Sequence, residues 1–341
     1  MTAPTVLLTG ASGVVGSALL RELADTEVIS LTHHKPITGQ QLRGDVTRPW
    51  LGLHPADYRS LAARVDVVVH CAASVNFTAS RTHLHNVNVR GTGHVLRFAE
   101  DATAGLVHGS TAFIARAGRG SLLDAYAESK ATGETLVRTS GLPYAIARLS
   151  TVIGDSASGR TARLQAFHHV VGSALTGQLP FLPCAPGTRI DFVPQDTAAA
   201  ALAALVRSER LQGEHWITAG DAALPMARLL DLCGEAAIAR DSGTRIGDLG
   251  VRLFGTRLLE PDVFERIMTS VLDRAQPGAA PSVGRLAADV MTAFTDTEPF
   301  PTSIGTLPQG PAPITPDSLE NALRHTLCYL LTLPQETWDL T

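Results

Sequence analysis

The chain has 341 residues, enough for one large domain or two smaller ones with a full core. Its 45% hydrophobic and 18% charged residues fit a soluble globular protein, and a net charge of −4 argues against a nucleic-acid partner. Cys71, Cys184, Cys233 and Cys328 form no CxxC pair, so neither a disulfide framework nor a zinc site is indicated, and reduced cytoplasmic thiols are expected. The N-terminal stretch "MTAPTVLLTGASGVVGSALL" lacks the positive n-region of a signal peptide. No apolar run reaches the roughly 18 residues that a membrane span needs.

In chain order, "TVLLTG" (5–10) is a short apolar strand ending at glycine, and "VVGSALLRELA" (14–24) has helical periodicity. "EVISLT" (27–32) is the next strand, and a short third strand precedes "RGDVT" (43–47). "VDVVVHCAA" (65–73) is a strongly apolar strand, followed by a helix over 82–102 and the strand "AGLVHGS" (104–110). A helix over 124–140 stops at Gly141, and "PYAIARLS" (143–150) is another strand. Near-continuous apolar strands alternating with helices imply a doubly wound α/β fold. Its parallel sheet is covered on both faces and binds its ligand at the carboxyl ends of the strands.

Beyond residue 150 the pattern loosens. A short strand and then a helix starting near Pro194 to Asp196 are expected within 189–208, with "AAAALAALV" (198–206) a buried or half-buried helix. A strand is expected over 213–220, and helices near 225–236, 260–274, 283–294 and 317–332. Six prolines between 299 and 316 mark an extended loop. The expected division is a Rossmann dinucleotide-binding core over 1–155 and a smaller, mostly helical substrate-binding region over 156–341, with 189–220 returning to the sheet.

Several short motifs bear on chemistry. In "TGASGVVG" (9–16), Gly10, Gly13 and Gly16 sit between the first strand and first helix. Glycine there lets the backbone approach a pyrophosphate at the helix N-terminus; the plain alternative is a tight turn. "LTHHKP" (31–36) has no acid for a ribose 2′-OH but offers His33, His34 and Lys35 to a 2′-phosphate, favouring NADP(H) with NAD(H) possible. Alternatively these are solvated loop charges. Asp45 either contacts the adenine amino group or caps a turn. In "DAYAESKATGE" (124–134), Tyr126 and Lys130 stand four apart on one helical face.

Taken together, "TGASGVVG", "GDVT", "HCAAS" (70–74), "NVRGT" (88–92), "GST" (109–111), "YAESK" (126–130) and "ARLSTVIG" (147–154) resemble the extended short-chain dehydrogenase/reductases, in that family's order. The resemblance covers roughly residues 5–155, and "RIDFVPQD" (189–196) extends it. "HCAASVNF" (70–77) and "VPQD" look most like the thioester-reductase and fatty-acyl-CoA-reductase branch. The resemblance implies that Tyr126, Lys130 and Thr111 are catalytic, with Ser110 in place of Thr111 if the register slips by one. It implies cofactor contacts from Gly10, Ser12, Gly13, Val14, Val15 and Gly16, from His33, His34, Lys35, Asp45 and Val46, and from Cys71, Ala72, Ala73, Asn88, Leu149 and Thr151, besides Tyr126 and Lys130. Ser74, Asn76, Phe77, Phe113 and His168 become substrate neighbours. The chain departs from the branch in "VHGST" before Thr111, in Leu149 where a proline is usual, and in Gln195 for valine.

The chemistry also follows from the residues. A neighbouring ammonium favours a phenolate, which suggests that Lys130 lowers the Tyr126 pKa from near 10. Thr111 can donate to the same substrate oxygen. His83, His85, His168 and His169 have no carboxylate or cysteine at metal-ligand spacing, so no metal is expected. Trp216 and the apolar stripe of 317–332 read as core. The expected activity is NADPH-dependent reduction of an acyl thioester, ketone or aldehyde by a monomer or homodimer, with any acyl carrier arriving in trans. A sugar-nucleotide epimerase or dehydratase with tightly held NAD, and a non-enzymatic dinucleotide sensor, are the competing expectations.

Overall fold

The computed structural model describes residues 4–118, 123–185, 187–240, 255–264, 266, 298–334 and 337. The chain divides into two compact units: Met1–Val152 with Val193–Ala219 and Phe300–Ile314, and Ile153–Phe192 with Gly220–Pro299 and Thr315–Thr341.

The first unit is built on seven parallel strands. They are β1 (Val6–Thr9), β2 (Val28–Thr32), β3 (Gln41–Arg43), β4 (Val67–His70), β5 (Gly105–Thr111), β6 (Tyr144–Leu149) and β7 (Glu214–Ile217). Their order is β7-β6-β5-β4-β1-β2-β3. The order reverses at β1, the switch point where a doubly wound sheet opens a crevice for ligand. Registers Thr9↔His70, His70↔His108 and Thr111↔Leu149 bring the strand ends carrying the motifs to one edge.

Both faces of the sheet are apolar because both are covered. Val6 and Leu8 point to one side, where α1 (Val14–Glu22) packs on α7 (Gln195–Arg207). Leu7 points to the other, toward α2 (Pro55–Ala62), α4 (Gly91–Ala102) and α5 (Asp124–Thr139). This alternation is the period-2 geometry of a strand. The alanines of α7 are small enough for close helix packing; Ala198, Ala199, Ala201 and Ala203 are fully buried. Each Leu or Val so buried contributes about 1.5–3 kcal/mol.

Local reasons set the differences from the sequence reading. The helix expected over 82–102 is α3 (Arg81–Leu84) and α4 joined by a turn of π-helix, His85–Arg90. Such wide turns re-aim side chains and recur at functional sites, and this one carries Asn88. Helix α2 has no counterpart in that reading, since eight residues burying only Tyr58 and Leu61 give little periodicity. Nor has α6 (Ala166–Leu175), which opens on a Gln165–His168 capping box instead of a Ser, Thr, Asp or Asn cap. The expected helix at 283–294 lies outside the described residues; of the one at 260–274, residues 261–264 are helical and most of the rest lies outside them.

In the second unit α6 accompanies α8 (Met226–Arg240) and α9 (Pro316–Leu331). Arg228 bonds both oxygens of Glu320, and Arg324 pairs with Glu235, clamping α8 to α9. No helix among the described residues is long and apolar enough to cross a membrane, and no metal-binding cluster occurs among them.

Candidate active site

The glycine turn is tight at two points. Gly10 has φ +78°, and a Cβ there would lie 2.6 Å from the Ala72 nitrogen; a Cβ on Gly16 would lie 2.2 Å from the Gly10 carbonyl oxygen. The turn therefore nests against Cys71 and Ala72 at the end of β4. Gly13 caps α1 without a side-chain hydrogen bond, which leaves the N–H groups around Val14, Val15 and Gly16 to a ligand, with Ser12 in the same loop.

At the end of β2, His33, His34 and Lys35 are exposed, and the two imidazoles lie 3.6 Å apart between centroids. His33 Nε2 is 3.6 Å and Arg48 Nε 3.5 Å from Asp45 Oδ2. Asp45 Oδ1 accepts from the Thr47 amide at 2.9 Å and hydroxyl at 2.7 Å. Burial opposes ionisation of Asp45, but Thr47, His33 and Arg48 together hold its carboxyl below the usual range. Of the two roles open from the sequence, the structure displays the turn. The Val46 carbonyl accepts from His94 Nδ1 at 2.9 Å.

Tyr126, in the first turn of α5, has Thr111 at the end of β5 close enough for the threonine side chain to favour its phenolate. Ser110 is buried with no partner among the described residues, so the hydroxyl that meets the phenol is Thr111's. Lys130 is 3% exposed and donates to the Gly109 carbonyl at 2.7 Å. Burial pushes the Tyr126 phenol up to about 12, against the lowering by Thr111. The expectation that Lys130 draws this phenol down is not met: burial raises it, and the opposing influence comes from Thr111. Burial likewise pushes the Lys130 ammonium down to about 8, with Cys71 and Glu134 pulling the other way. Burial thus favours the protonated phenol of Tyr126 and weakens the hold of Lys130 on its proton.

A second layer holds this arrangement. Asn88 accepts from the Ser74 amide at 2.8 Å, and donates to the Ser74 carbonyl at 3.0 Å and Ser129 Oγ at 2.9 Å. Ser129 Oγ in turn donates to the Tyr126 carbonyl at 2.7 Å. Asn88 therefore ties the loop after β4 to the helix carrying Tyr126. His70 Nδ1 meets Thr9 Oγ1 at 2.8 Å and its Nε2 meets Thr92 Oγ1 at 3.3 Å. Its neighbour His108 is fully buried, with neither ring nitrogen bonded among the described residues. Burial, then the Lys130 charge, holds His70 down to about 3 and His108 well below its ordinary value. Burial pushes the Cys71 thiol up to about 12, so it is no nucleophile at neutral pH.

Phe77 stands edge-on to Tyr126 at 5.3 Å, and Phe113 is buried two residues beyond Thr111. Ala73 and Ser74 follow Ala72 in the same loop, half-buried. Asn76 is exposed, its Oδ1 taken by the Thr78 amide and hydroxyl. Leu149 ends β6 and Thr151 opens the short strand Thr151–Ile153. His168 lies in the second unit, fully buried, and its Nδ1 accepts from the Gln165 amide as part of the α6 cap. The sequence reading passed over Ser129 and the Glu134–Arg148 pair. Glu134 is fully buried, and Arg148 donates to it at 3.0 and 2.8 Å. One signal was available: Glu134 stands four residues after Lys130 on the same helix face.

The residues present fit a dinucleotide. The glycine turn leaves no room for a Cβ, α1 opens without a side-chain cap, exposed cations follow β2, and the buried Tyr126, Lys130 and Thr111 stand at the same sheet edge. Comparisons with known proteins agree. Residues 38–123 and 114–202 match the NAD-binding family described as male sterility protein. The chain is 29% identical over 250 residues to glycine betaine reductase ATRR of Emericella nidulans, covering 59% of this chain and 20% of that one. It spans a fifth or less of the length of the curated relatives it matches. Its fold is that of the terminal R domain from the myxalamid PKS-NRPS biosynthetic pathway, with TM-score 0.71, 20% identity and coverage of 100% and 93%. A thiolation-reductase di-domain from an archaeal non-ribosomal peptide synthetase gives 0.65, 17%, 97% and 76%. UDP-glucuronic acid 4-epimerase from Bacillus cereus, solved with NAD, gives 0.65, 17%, 97% and 100%. In motifs and sheet order the chain resembles the extended short-chain dehydrogenase/reductases, and over residues 38–202 it is similar to the male sterility protein family.

Proposed function

We propose that this chain is an NADPH-dependent reductase acting on the carbonyl of an acyl thioester, with ketones and aldehydes as the other carbonyl substrates within reach of the same chemistry. The observation that carries this reading is the placing of Thr111 by the Tyr126 phenol, with the buried ammonium of Lys130 four residues along the same helix.

Bound reduced nicotinamide supplies the hydride that adds to the carbonyl carbon. The backbone at Gly10, Gly13 and Gly16 and the first turn of α1 would hold the pyrophosphate, and Lys130 the nicotinamide ribose. His33, His34 and Lys35 would hold a 2′-phosphate, which favours NADP(H) over NAD(H). Thr111 and Tyr126 donate to the carbonyl oxygen as it gains charge, and Tyr126 gives up its proton to it. A phenol that is firmly protonated at neutral pH suits the reductive direction. With a thioester the product of this step is a hemithioacetal; its C–S bond then breaks, releasing a thiol and an aldehyde. A second round would give the alcohol.

The reductase relatives and the thiolation-reductase di-domain support an acyl group delivered on a carrier. Four free cysteines fit a reducing, cytoplasmic setting. The test is NADPH oxidation against a panel of acyl thioesters, aldehydes and ketones. Turnover of ketones but of no thioester would remove the thioester reading. Purified protein carrying tightly held NAD would favour the sugar-nucleotide epimerase instead. Biological activity left intact by Tyr126→Phe, with no turnover of the panel, would favour a dinucleotide sensor.

A further inference from the structure

The proline-rich segment carries no chemistry-bearing motif, yet its first residues are closely tied within the first unit. Ser303 donates its amide to the Trp216 carbonyl at 2.7 Å, and the Trp216 amide donates to Ser303 Oγ at 3.0 Å. Thr302 donates its hydroxyl to the Thr218 carbonyl at 2.7 Å, and the Thr218 hydroxyl donates to the Pro301 carbonyl. Residues 301–303 thus run along β7 at the sheet edge. Ile304 is buried in the sheet core, with Leu307 and Ile314 packed against it. The segment is held on one side by hydrogen bonds and on the other by apolar burial.

This fixes the ring of Phe300. It stacks on Trp216 with centroids 6.1 Å apart and planes 22° from parallel, and stands edge-on to Phe113 at 6.1 Å and 86°. The Arg116 guanidinium lies 3.9 Å from its centroid. Phe113 and Arg116 belong to the single 3-10 turn Ala112–Arg116 that follows β5 directly. The Phe113 amide donates to Thr111 Oγ1 at 3.3 Å, and Thr111 is the residue whose side chain acts on the Tyr126 phenol. Only one short turn therefore separates the aromatic cluster from the reacting hydroxyls.

We propose that Phe300 is a positioning residue: its ring locks the turn Ala112–Arg116 and so holds the Thr111 hydroxyl against the Tyr126 phenol. Both contacts to the turn use the ring's π system, one edge-to-face and one cation–π. Leucine would fill most of the volume and provide neither. The kinetic consequence rests on the reductase reading; the geometric one does not.

The test compares Phe300→Leu and Phe300→Tyr with the unaltered full chain. Phe300→Leu should fold, bind NADPH with a Kd within about twofold of the parent, and lose about tenfold in kcat, since small misplacements at a distance act on the reacting geometry. Amide exchange at Phe113 and its turn should quicken in Phe300→Leu while the amides of β5 stay protected. Phe300→Tyr keeps the ring and should restore both. Unchanged kcat and unchanged exchange in Phe300→Leu overturn the proposal. So does a parallel loss of cofactor affinity, kcat and β5 protection, which marks a merely structural residue. If the parent reduces none of the panel, the reductase reading fails, and the exchange comparison alone decides for or against the role of Phe300.

Discussion

Thr111 lies close enough to Tyr126 to favour its phenolate, although one ends a strand and the other opens a helix. Both hydroxyls can thereby reach one substrate oxygen. Removing either should act on the chemical step more than on binding. Tyr126→Phe should lower kcat by about 10²–10⁴-fold. Thr111→Val should lower it by about 10²-fold. In both, NADPH binding measured by fluorescence should stay near the parent value. A fall in cofactor affinity with kcat unchanged would remove the two residues from proton transfer.

Lys130 should set the alkaline limb. Tyr126, at about 12, keeps its proton through the working range, whereas Lys130, at about 8, loses its charge as pH rises through that value. In the reductive direction kcat/KM should therefore fall about tenfold per pH unit above 8. Lys130→Arg retains its charge at any working pH and should move whatever residual activity it has to a flat alkaline profile. A limb that stays near 8 in that variant would assign it to another group.

The buried histidines should weaken the protein in acid. Burial lowers the folded-state pKa of His70 and His108 below the ordinary value near 6.5. Below about 6.5 the unfolded chain binds protons that the folded chain refuses. Stability is then lost as pH falls, at about 1.4 kcal/mol per pH unit for each ring. His108→Leu removes one of them without breaking a described hydrogen bond. Thermal melts between pH 5 and 7.5 should show a shallower acid limb for this variant. An identical limb would place the acid sensitivity elsewhere.

Cofactor preference should reside after β2. Replacing His33, His34 and Lys35 together by glutamine removes the exposed donors expected to meet a 2′-phosphate. Charge-assisted hydrogen bonds contribute about 1.5–3 kcal/mol each, so the Kd for NADPH should rise at least about tenfold. The Kd for NADH, measured in parallel, should change little. An equal change for both cofactors would move the 2′-phosphate contact to other cations.

Glu134 anchors α5, the helix that carries Tyr126 and Lys130. It is fully buried and held by Arg148, which also pairs with Glu214 on β7 and lies 4.8 Å from the Trp216 ring centroid. Glu134→Leu leaves the Arg148 guanidinium without its bidentate partner and should destabilise the fold by about 3–5 kcal/mol. Urea unfolding measures this. A loss below about 1 kcal/mol would show that Glu214 satisfies Arg148 unaided.

Much of the molecule follows from local pattern. Apolar runs ending in glycine, alternating with helical periods, are enough for a doubly wound sheet, because a strand buried on both faces has to be apolar throughout. The glycine spacing of residues 10, 13 and 16 and the helical spacing of Tyr126 and Lys130 are equally local. Tertiary structure settled whether Thr111 or Ser110 meets Tyr126. Adjacent strand residues point to opposite faces, and the face depends on how β5 registers with β6 and where α5 begins. It also reversed the expected direction of the Tyr126 pKa, since desolvation depends on everything packed around the phenol and not on its neighbour in sequence. The place of Phe300 beside the turn after Thr111 was invisible in the sequence for the same reason: a contact between such distant segments is written in the fold and in no local motif.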